Sequence, residues 1–413
     1  MGKFTALDDP LVDQTVESHL QRIVAVLRSR MEPHAIILRG SFGRGEGSVL
    51  SQDGQLRFLS DYEIDVATFS PRYRALFREL SHQLTAEFGV ETSLRWVRPD
   101  YLRRNRVGPL PMGPAPITIA LYESRYGSQT LYGQDIVNSG PVVDPCQIEL
   151  ESGIRLLLNR MAESLYYMPR ASDSTHDEME VLHWANKTVL ACAESLLLLW
   201  GQYHFLYKER GRRFAALAND RLVFMHSQGS ILAELVARAT EFKLRPRRNL
   251  YLHTDGVGRT GSPATVQEAW LEVVPVCDSV FRHLVEQVLG FSVKDYAGFP
   301  EQFLQHESAA SRSLSPLHLV MLKSLDAYKY LRTGRLPRGL LLPYGVPRVV
   351  YAVVPLVFTG WASNAQRLAN MLSQVRQCLG TICPLEPPDS DSWTEWDALR
   401  RHMLWAWQNF CYR

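Results

Sequence analysis

The sequence has no apolar run approaching the roughly 18 residues that a membrane-crossing helix requires. Its best stretch, the leucines 196–199 ahead of Trp200, is far too short. Cysteine is sparse as well: six residues, at 146, 192, 277, 378, 383 and 411, of which only Cys378 and Cys383 are close together. With no second ligand pair beside them they suggest neither a zinc site nor a disulfide framework, and reduced thiols are the simpler reading. Net charge is nearly absent, at +2. A protein that grips a long nucleic acid through many phosphates carries a strong basic excess, so that class of partner is not expected. The twelve histidines contain no HExxH and no paired metal-ligand spacing. The opening MGKFTALDDP lacks the basic-then-apolar pattern of a secretion signal. Ala6 stands where a myristoylation signal prefers Ser or Thr. The expectation is a cytoplasmic protein without a membrane partner.

What is present suits a globular chain of two or three domains: 413 residues, 46% hydrophobic, 10% aromatic and 21% charged. Residues 11–30 place Leu11, Val16, Leu20, Ile23, Val24 and Leu27 at helical spacing. The strand-like Ala35-Ile36-Ile37-Leu38 follows and runs directly into RGSFGRGEG, residues 39–47. SVLSQ and QLRFL flank Asp53-Gly54, a two-residue hairpin signal. Tyr62 to Phe69 alternates as a half-buried strand does, Ser70-Pro71 opens a helix to about Phe88, and VETSLRWV alternates again. Residues 117–123 and 129–132 are further strand candidates. Beyond Pro145 the segments 147–168, 178–208, 214–242, 263–290, 315–332, 346–380 and 391–411 read as helices, with 300–314 a connector. The fold class is therefore α+β: a small mixed sheet with helices over residues 1–140, then helical regions over 141–300 and 301–413.

The chemistry concentrates in the glycine turn and in Leu59-Ser60-Asp61-Tyr62-Glu63-Ile64-Asp65-Val66. Alternate strand side chains share a face, so Asp61, Glu63 and Asp65 point one way and Tyr62, Ile64 and Val66 the other. Three like charges on one face repel unless a cation lies among them. All-oxygen ligands suit Mg²⁺, which commonly takes one or two carboxylates plus substrate phosphates. Backbone N–H groups of a glycine turn form a concavity for anions.

Gly40-Ser41 after a hydrophobic strand, followed by Asp61-Tyr62-Glu63-Ile64, resembles the signature of nucleotidyltransferases of the DNA polymerase beta superfamily. Arg44-Gly45-Glu46 resembles the continuation seen in bacterial members. The spacer between the two parts is longer than usual, and a hairpin at Asp53-Gly54 accounts for it, since it can be inserted without moving either end. The resemblance covers about the first 140 residues. It implies that Gly40 and Ser41 hold the β- and γ-phosphates of a nucleoside triphosphate, that Asp61 and Glu63 bind two Mg²⁺ ions, and that Arg44 adds charge at the leaving pyrophosphate. It also implies a third carboxylate on a neighbouring strand, for which Glu91 and Glu123 compete, Glu91 being the first choice.

In two-domain members of that family a helical domain closes the cleft, and residues 183–214 resemble its central helix. The likeness implies that Lys187 reaches the triphosphate and that Tyr203 and Tyr207 line the nucleotide or acceptor site. Two basic clusters, Arg210/Arg212/Arg213 and Lys243/Arg245/Arg247/Arg248, could meet phosphate or simply face solvent. Gly256 to Gly261 matches GxGxxG but lacks a surrounding βαβ unit, so a dinucleotide fingerprint is not expected. The expected activity is Mg²⁺-dependent transfer of a nucleoside monophosphate from a triphosphate to a hydroxyl of a small-molecule acceptor. The rivals are adenylylation of a protein and a non-catalytic nucleotide-binding or scaffold protein.

Overall fold

The computed structural model describes residues 2–52, 55–101, 116–168, 177–247, 265–296, 298–312, 316–333 and 345–411. Within them the chain is α+β, with a mixed four-stranded sheet, a separate two-stranded hairpin and helices. It divides into two compact units interleaved along the sequence. One comprises Met1–Gly153 and Ala193–Ser262, the other Ile154–Cys192 and Pro263–Arg413. Where the sequence suggested consecutive regions bounded at 140 and 300, the chain leaves the first unit and later returns to it.

In the first unit, helix α1 (Pro10–Arg30) starts where Asp9 accepts a hydrogen bond from the Leu11 N–H at 3.0 Å, with Pro10 at the first helical position. Strand β1 (Ala35–Arg39) leads into a single helical turn, α2 (Gly40–Gly43). Strands β2 (Val49–Gln52) and β3 (Gln55–Phe58) form the expected hairpin, with Gln52 opposite Gln55; Asp53 and Gly54 themselves lie outside the described residues. Strand β4 (Tyr62–Ala67) returns antiparallel to β1. Helix α3 (Arg74–Phe88) then supplies the crossover to β5 (Thr92–Val97), parallel to β4. Strand β6 (Gln129–Gly133) pairs with the other edge of β1, so the order is β5-β4-β1-β6.

The sheet buries both faces. Ile36, Leu38, Tyr62, Ile64 and Val66 join Val16, Leu20 and Ile23 of α1 and Leu80 and Leu84 of α3 in one core. Ala35, Ile37, Ala67 and Val97 face the other way. There they meet Leu121 of α4 (Ile119–Tyr126). This helix replaces the strand expected at 117–123. A short apolar run carries no periodicity that separates helix from strand, and here the Thr118 hydroxyl caps it by accepting from the Leu121 N–H at 3.3 Å.

Helix α5 (Glu151–Tyr167) is followed by α6 (Glu178–Leu199). The helix expected over 178–208 stops there because Gly201 takes a left-handed conformation, φ +68°, that suits glycine at a helix end. Helices α7 (Tyr207–Arg221) and α8 (Gln228–Leu244) pack on each other within the first unit. The described part of the second unit is helical. It includes α9 (Val266–Leu284), α10 (Phe299–Arg312), α11 (Pro316–Thr333), α12 (Val346–Gly360), α13 (Ala365–Gly380) and α14 (Ser392–Ala406). Helix α10 stands where a connector was expected. The span 346–380 is two helices, the second started by Asn364 accepting from the Arg367 N–H at 3.0 Å. Helix α12 is buried along nearly its whole length and packs on α9, α10, α13 and α14. Among the described residues no helix is long and apolar enough to cross a membrane.

Candidate functional site

The β1–β4 register brings the two parts of the sequence signature together. Arg39 lies opposite Glu63, so Gly40 and Ser41 begin α2 beside the Asp61–Asp65 strand. Gly40 has φ +65°, and a Cβ built on it would run into the Glu63 carboxylate. The left-handed backbone calls for glycine here, and a larger residue would also have to displace the flexible Glu63 side chain. Asp61 immediately precedes β4 and by strand alternation shares a face with Glu63 and Asp65.

The three carboxylates of this face have different surroundings. Asp65 is fully buried and held by the protein's own cations. Arg95 Nε and Nη2 donate to its two oxygens at 2.7 Å each, Tyr101 OH donates at 3.1 Å, and Arg39 Nε lies 3.1 Å from Oδ1. Burial alone would raise its pKa, but the two guanidiniums prevail and hold it below the ordinary aspartate value. The cation demanded by like charges on one strand face is thus, for Asp65, a pair of arginines. Glu63 retains 35% side-chain exposure and accepts one hydrogen bond from Arg39 Nη2 at 2.9 Å. Asp61 is half-buried.

Glu91 precedes β5 and is exposed. Its carbonyl accepts from the Tyr62 N–H at 2.8 Å, the bond that closes the Tyr62–Thr92 pairing, so Glu91 and Asp61 each stand one residue ahead of that pair.

Glu123 belongs to a different constellation. On α4 it lies 2.9 Å from Arg44 Nη1 and 3.0 Å from Arg210 Nη2, and it accepts from Tyr203 OH at 2.7 Å. Arg44 and Arg210 expose only 4% and 2% of their side chains. Burial disfavours the Glu123 carboxylate, yet Arg44 and Arg210 outweigh it and bring its pKa down to about 2. Arg210 also pairs with Glu194 at 2.5 Å and donates to the Phe205 carbonyl at 3.0 Å. Arg44, Glu123 and Tyr203 therefore do meet, but as members of a buried ionic network joining the glycine turn, α4 and α7. Tyr203 is fully buried within it. The half-buried ring of Tyr207 is flanked by Arg210 at 4.1 Å, Arg44 at 4.9 Å and Lys243 at 5.2 Å.

The turn is gripped from two further sides. The Glu46 carboxylate accepts from the N–H groups of Tyr207 at 2.7 Å and Lys208 at 3.0 Å, and so caps α7. From the end of α8, Lys243 Nζ donates to Ser41 Oγ at 2.8 Å and to Ser60 Oγ at 3.1 Å. Lys243 is buried, and its carbonyl accepts from Ser48 Oγ at 2.6 Å.

The two basic clusters split along these lines. Arg210 and Lys243 are buried against the turn, whereas Arg212 pairs with Glu209 at 2.6 Å and Arg245 with Glu241 at 3.5 Å. Arg248 and the GxGxxG segment lie outside the described residues. Lys187 belongs to the second unit, where its ammonium sits 4.0 Å over the Trp184 ring. The lysine in contact with Ser41 is Lys243. Its place among arginines in the sequence gives no sign of that contact.

Among the described residues no group of three or more His, Cys, Asp or Glu side chains is gathered as if to hold a metal ion. The donor set of Asp61 and Glu63 nevertheless fits a hard divalent cation. It is all oxygen, it is partly exposed, and it leaves coordination positions for substrate phosphates. No protein family, curated protein or solved structure matches this chain.

Proposed function

We propose that the first unit is a polymerase-beta-like nucleotidyltransferase domain that moves a nucleoside monophosphate from a triphosphate to a hydroxyl of a small-molecule acceptor. One observation carries the reading. A glycine-serine turn at the end of β1, its glycine in a left-handed conformation, lies against the partly exposed Glu63 of β4.

In this reading the turn holds the β,γ end of the triphosphate through its backbone N–H groups and the Ser41 hydroxyl, and Lys243 adds positive charge at Ser41. Asp61 and Glu63 hold Mg²⁺, which when bound neutralises charge on the phosphate oxygens. Glu91, whose carbonyl accepts from the Tyr62 N–H between Asp61 and Glu63, is assigned as the third carboxylate and takes the proton from the attacking hydroxyl. Glu123 has no part in the reaction, because its charge is committed to Arg44 and Arg210. The acceptor oxygen forms a bond to the α-phosphorus as the bond to pyrophosphate breaks. Positioning and charge neutralisation supply the acceleration. A net charge of only +2 favours a small acceptor over a polynucleotide.

The ion pair between Arg39 and Glu63 favours a second reading, a nucleotide binder without turnover. The test is incubation with each labelled triphosphate, Mg²⁺ and a metabolite extract. Wild type is expected to release pyrophosphate, and Asp61→Ala/Glu63→Ala is not. Equal background from both overturns the enzyme reading, and tight triphosphate binding without release establishes the binder.

A further inference from the structure

Arg39 is an unusual neighbour for a carboxylate that is to receive a divalent cation. It is the last residue of β1, directly ahead of the glycine turn, and 14% of its side chain is exposed. Its guanidinium faces three partners: Nη2 donates to Glu63 Oε2 at 2.9 Å, Nη1 donates to Ser124 Oγ at 3.2 Å, and Nε lies 3.1 Å from Asp65 Oδ1. Asp65 does not depend on it alone, since Arg95 already bonds both Asp65 oxygens and Tyr101 OH donates as well. Arg39 is thereby held by an ion pair to Asp65, in which its buried Nε makes no hydrogen bond, and by Ser124, and it donates to Glu63. The planar fork suits this bridging, which a point ammonium does not reproduce.

We infer that Arg39 is a positioning residue that occupies Glu63 in place of a divalent cation and makes cation capture there depend on the nucleotide; the inference rests on the nucleotidyltransferase reading. With Arg39 and Arg95 in place, two guanidiniums offset most of the charge of Asp61, Glu63 and Asp65, and the remaining field is weak for a free divalent ion. A bound triphosphate brings several negative charges to the adjoining turn and restores the attraction. The cation then takes over Glu63, while Arg39 keeps Asp65 and Ser124. Because binding free energies are reciprocal, the cation must strengthen nucleotide binding by the same factor that the nucleotide strengthens cation binding.

The test is Mn²⁺ binding, read from the paramagnetic resonance signal of the free ion, with and without a triphosphate analogue that cannot be cleaved at the α-phosphorus. Wild type is expected to bind Mn²⁺ weakly alone and about tenfold or more tightly with the analogue, within the usual range of site-to-site coupling. Arg39→Gln is expected to bind Mn²⁺ alone about tenfold more tightly than wild type, with the analogue adding correspondingly less. Adding Glu63→Gln to Arg39→Gln is expected to abolish that gain.

Wild-type Mn²⁺ affinity in Arg39→Gln, or a gain that survives Glu63→Gln, overturns the proposal. If Arg39→Gln does not fold, Arg39→Lys takes its place. Its single ammonium cannot span Glu63, Asp65 and Ser124 together, so about threefold tighter Mn²⁺ binding is expected, and equality with wild type overturns the proposal. If the analogue binds wild type at no Mn²⁺ concentration, the nucleotidyltransferase reading itself falls. If the analogue binds but the Arg39 variants behave as wild type, only the role of Arg39 falls.

Discussion

Replacing Glu123 by glutamine separates a structural carboxylate from a catalytic one. Glu123 is the carboxylate the structure pairs with Arg44, and it also pairs with Arg210, both guanidiniums being almost fully buried. Arg210 keeps Glu194 after the substitution, whereas the contact left to Arg44 among the described residues is the Tyr207 ring. Removing one partner of a buried pair leaves an uncompensated charge and costs about 3–5 kcal/mol. The acid range expresses the same pairing as a figure of similar size. Glu123 titrates at about 2 instead of the ordinary 4.5, an interval worth about 3 kcal/mol. Its folded pKa is depressed, so this stabilisation is fully present above pH 4.5 and is lost as the pH falls toward about 2. Glu123→Gln is therefore expected to lower the denaturant-unfolding free energy of the first unit by about 3 kcal/mol at pH 7. The gap to wild type should close as the pH is taken from 5 to 2. Adding Arg44→Met should recover part of the loss, because the orphaned charge leaves with its partner. A variant within about 1 kcal/mol of wild type at pH 7, with turnover abolished, refutes this reasoning and makes Glu123 a reacting group.

Gly40→Ala is expected to lose at least about 1–3 kcal/mol, because alanine must adopt φ +65° and push the Glu63 carboxylate aside; unfolding and triphosphate binding should both suffer. Glu46→Gln removes the charged cap from α7 and is expected to cost about 1–2 kcal/mol in thermal or urea unfolding. Lys243→Met is expected to weaken triphosphate binding by about tenfold, with a smaller effect on the diphosphate, as measured by calorimetry. Equal losses for both ligands would mean that the lysine only braces Ser41.

The parts of the fold that were legible in the sequence are those written locally. β1, the glycine turn, the β2–β3 hairpin and β4 each follow from a short run of apolar alternation or turn residues. The register that sets Arg39 opposite Glu63 brings Gly40 against the Glu63 side chain. What stayed hidden depends on partners far along the chain. Ser41 and Lys243 are 202 residues apart, and Glu123 and Arg210 are 87 apart. Lys243 and Arg245 read alike in a basic cluster, although one is buried on a serine and the other pairs with Glu241 on its own helix. Glu123 lies on a helix where its segment reads as a strand, because seven apolar-rich residues carry no reliable period. Its ionic partners became visible only once α4 and α7 were in place.

Under the proposed function, the segment RGSFGRGEG divides into residues that anchor and residues left to meet the triphosphate. Phe42 is fully buried in the core, Arg44 reaches Glu123, and Glu46 caps α7. Arg39 is tied to Asp65 and Ser124. A loop that is to hold phosphate with fixed geometry needs such support, since a site that is even slightly loose loses most of its discrimination. Here the support is ionic, so its removal must appear as lost stability as well as lost function. Asp61 and Glu63 are the positions at which function should fail without that penalty. Asp61 stands half-buried ahead of its strand, and Glu63 shares with Asp65 an arginine that Asp65 can retain. A scan of the turn that finds activity and stability falling together at Arg44 and Glu46, but apart at Asp61 and Glu63, would divide scaffold from site as the geometry does.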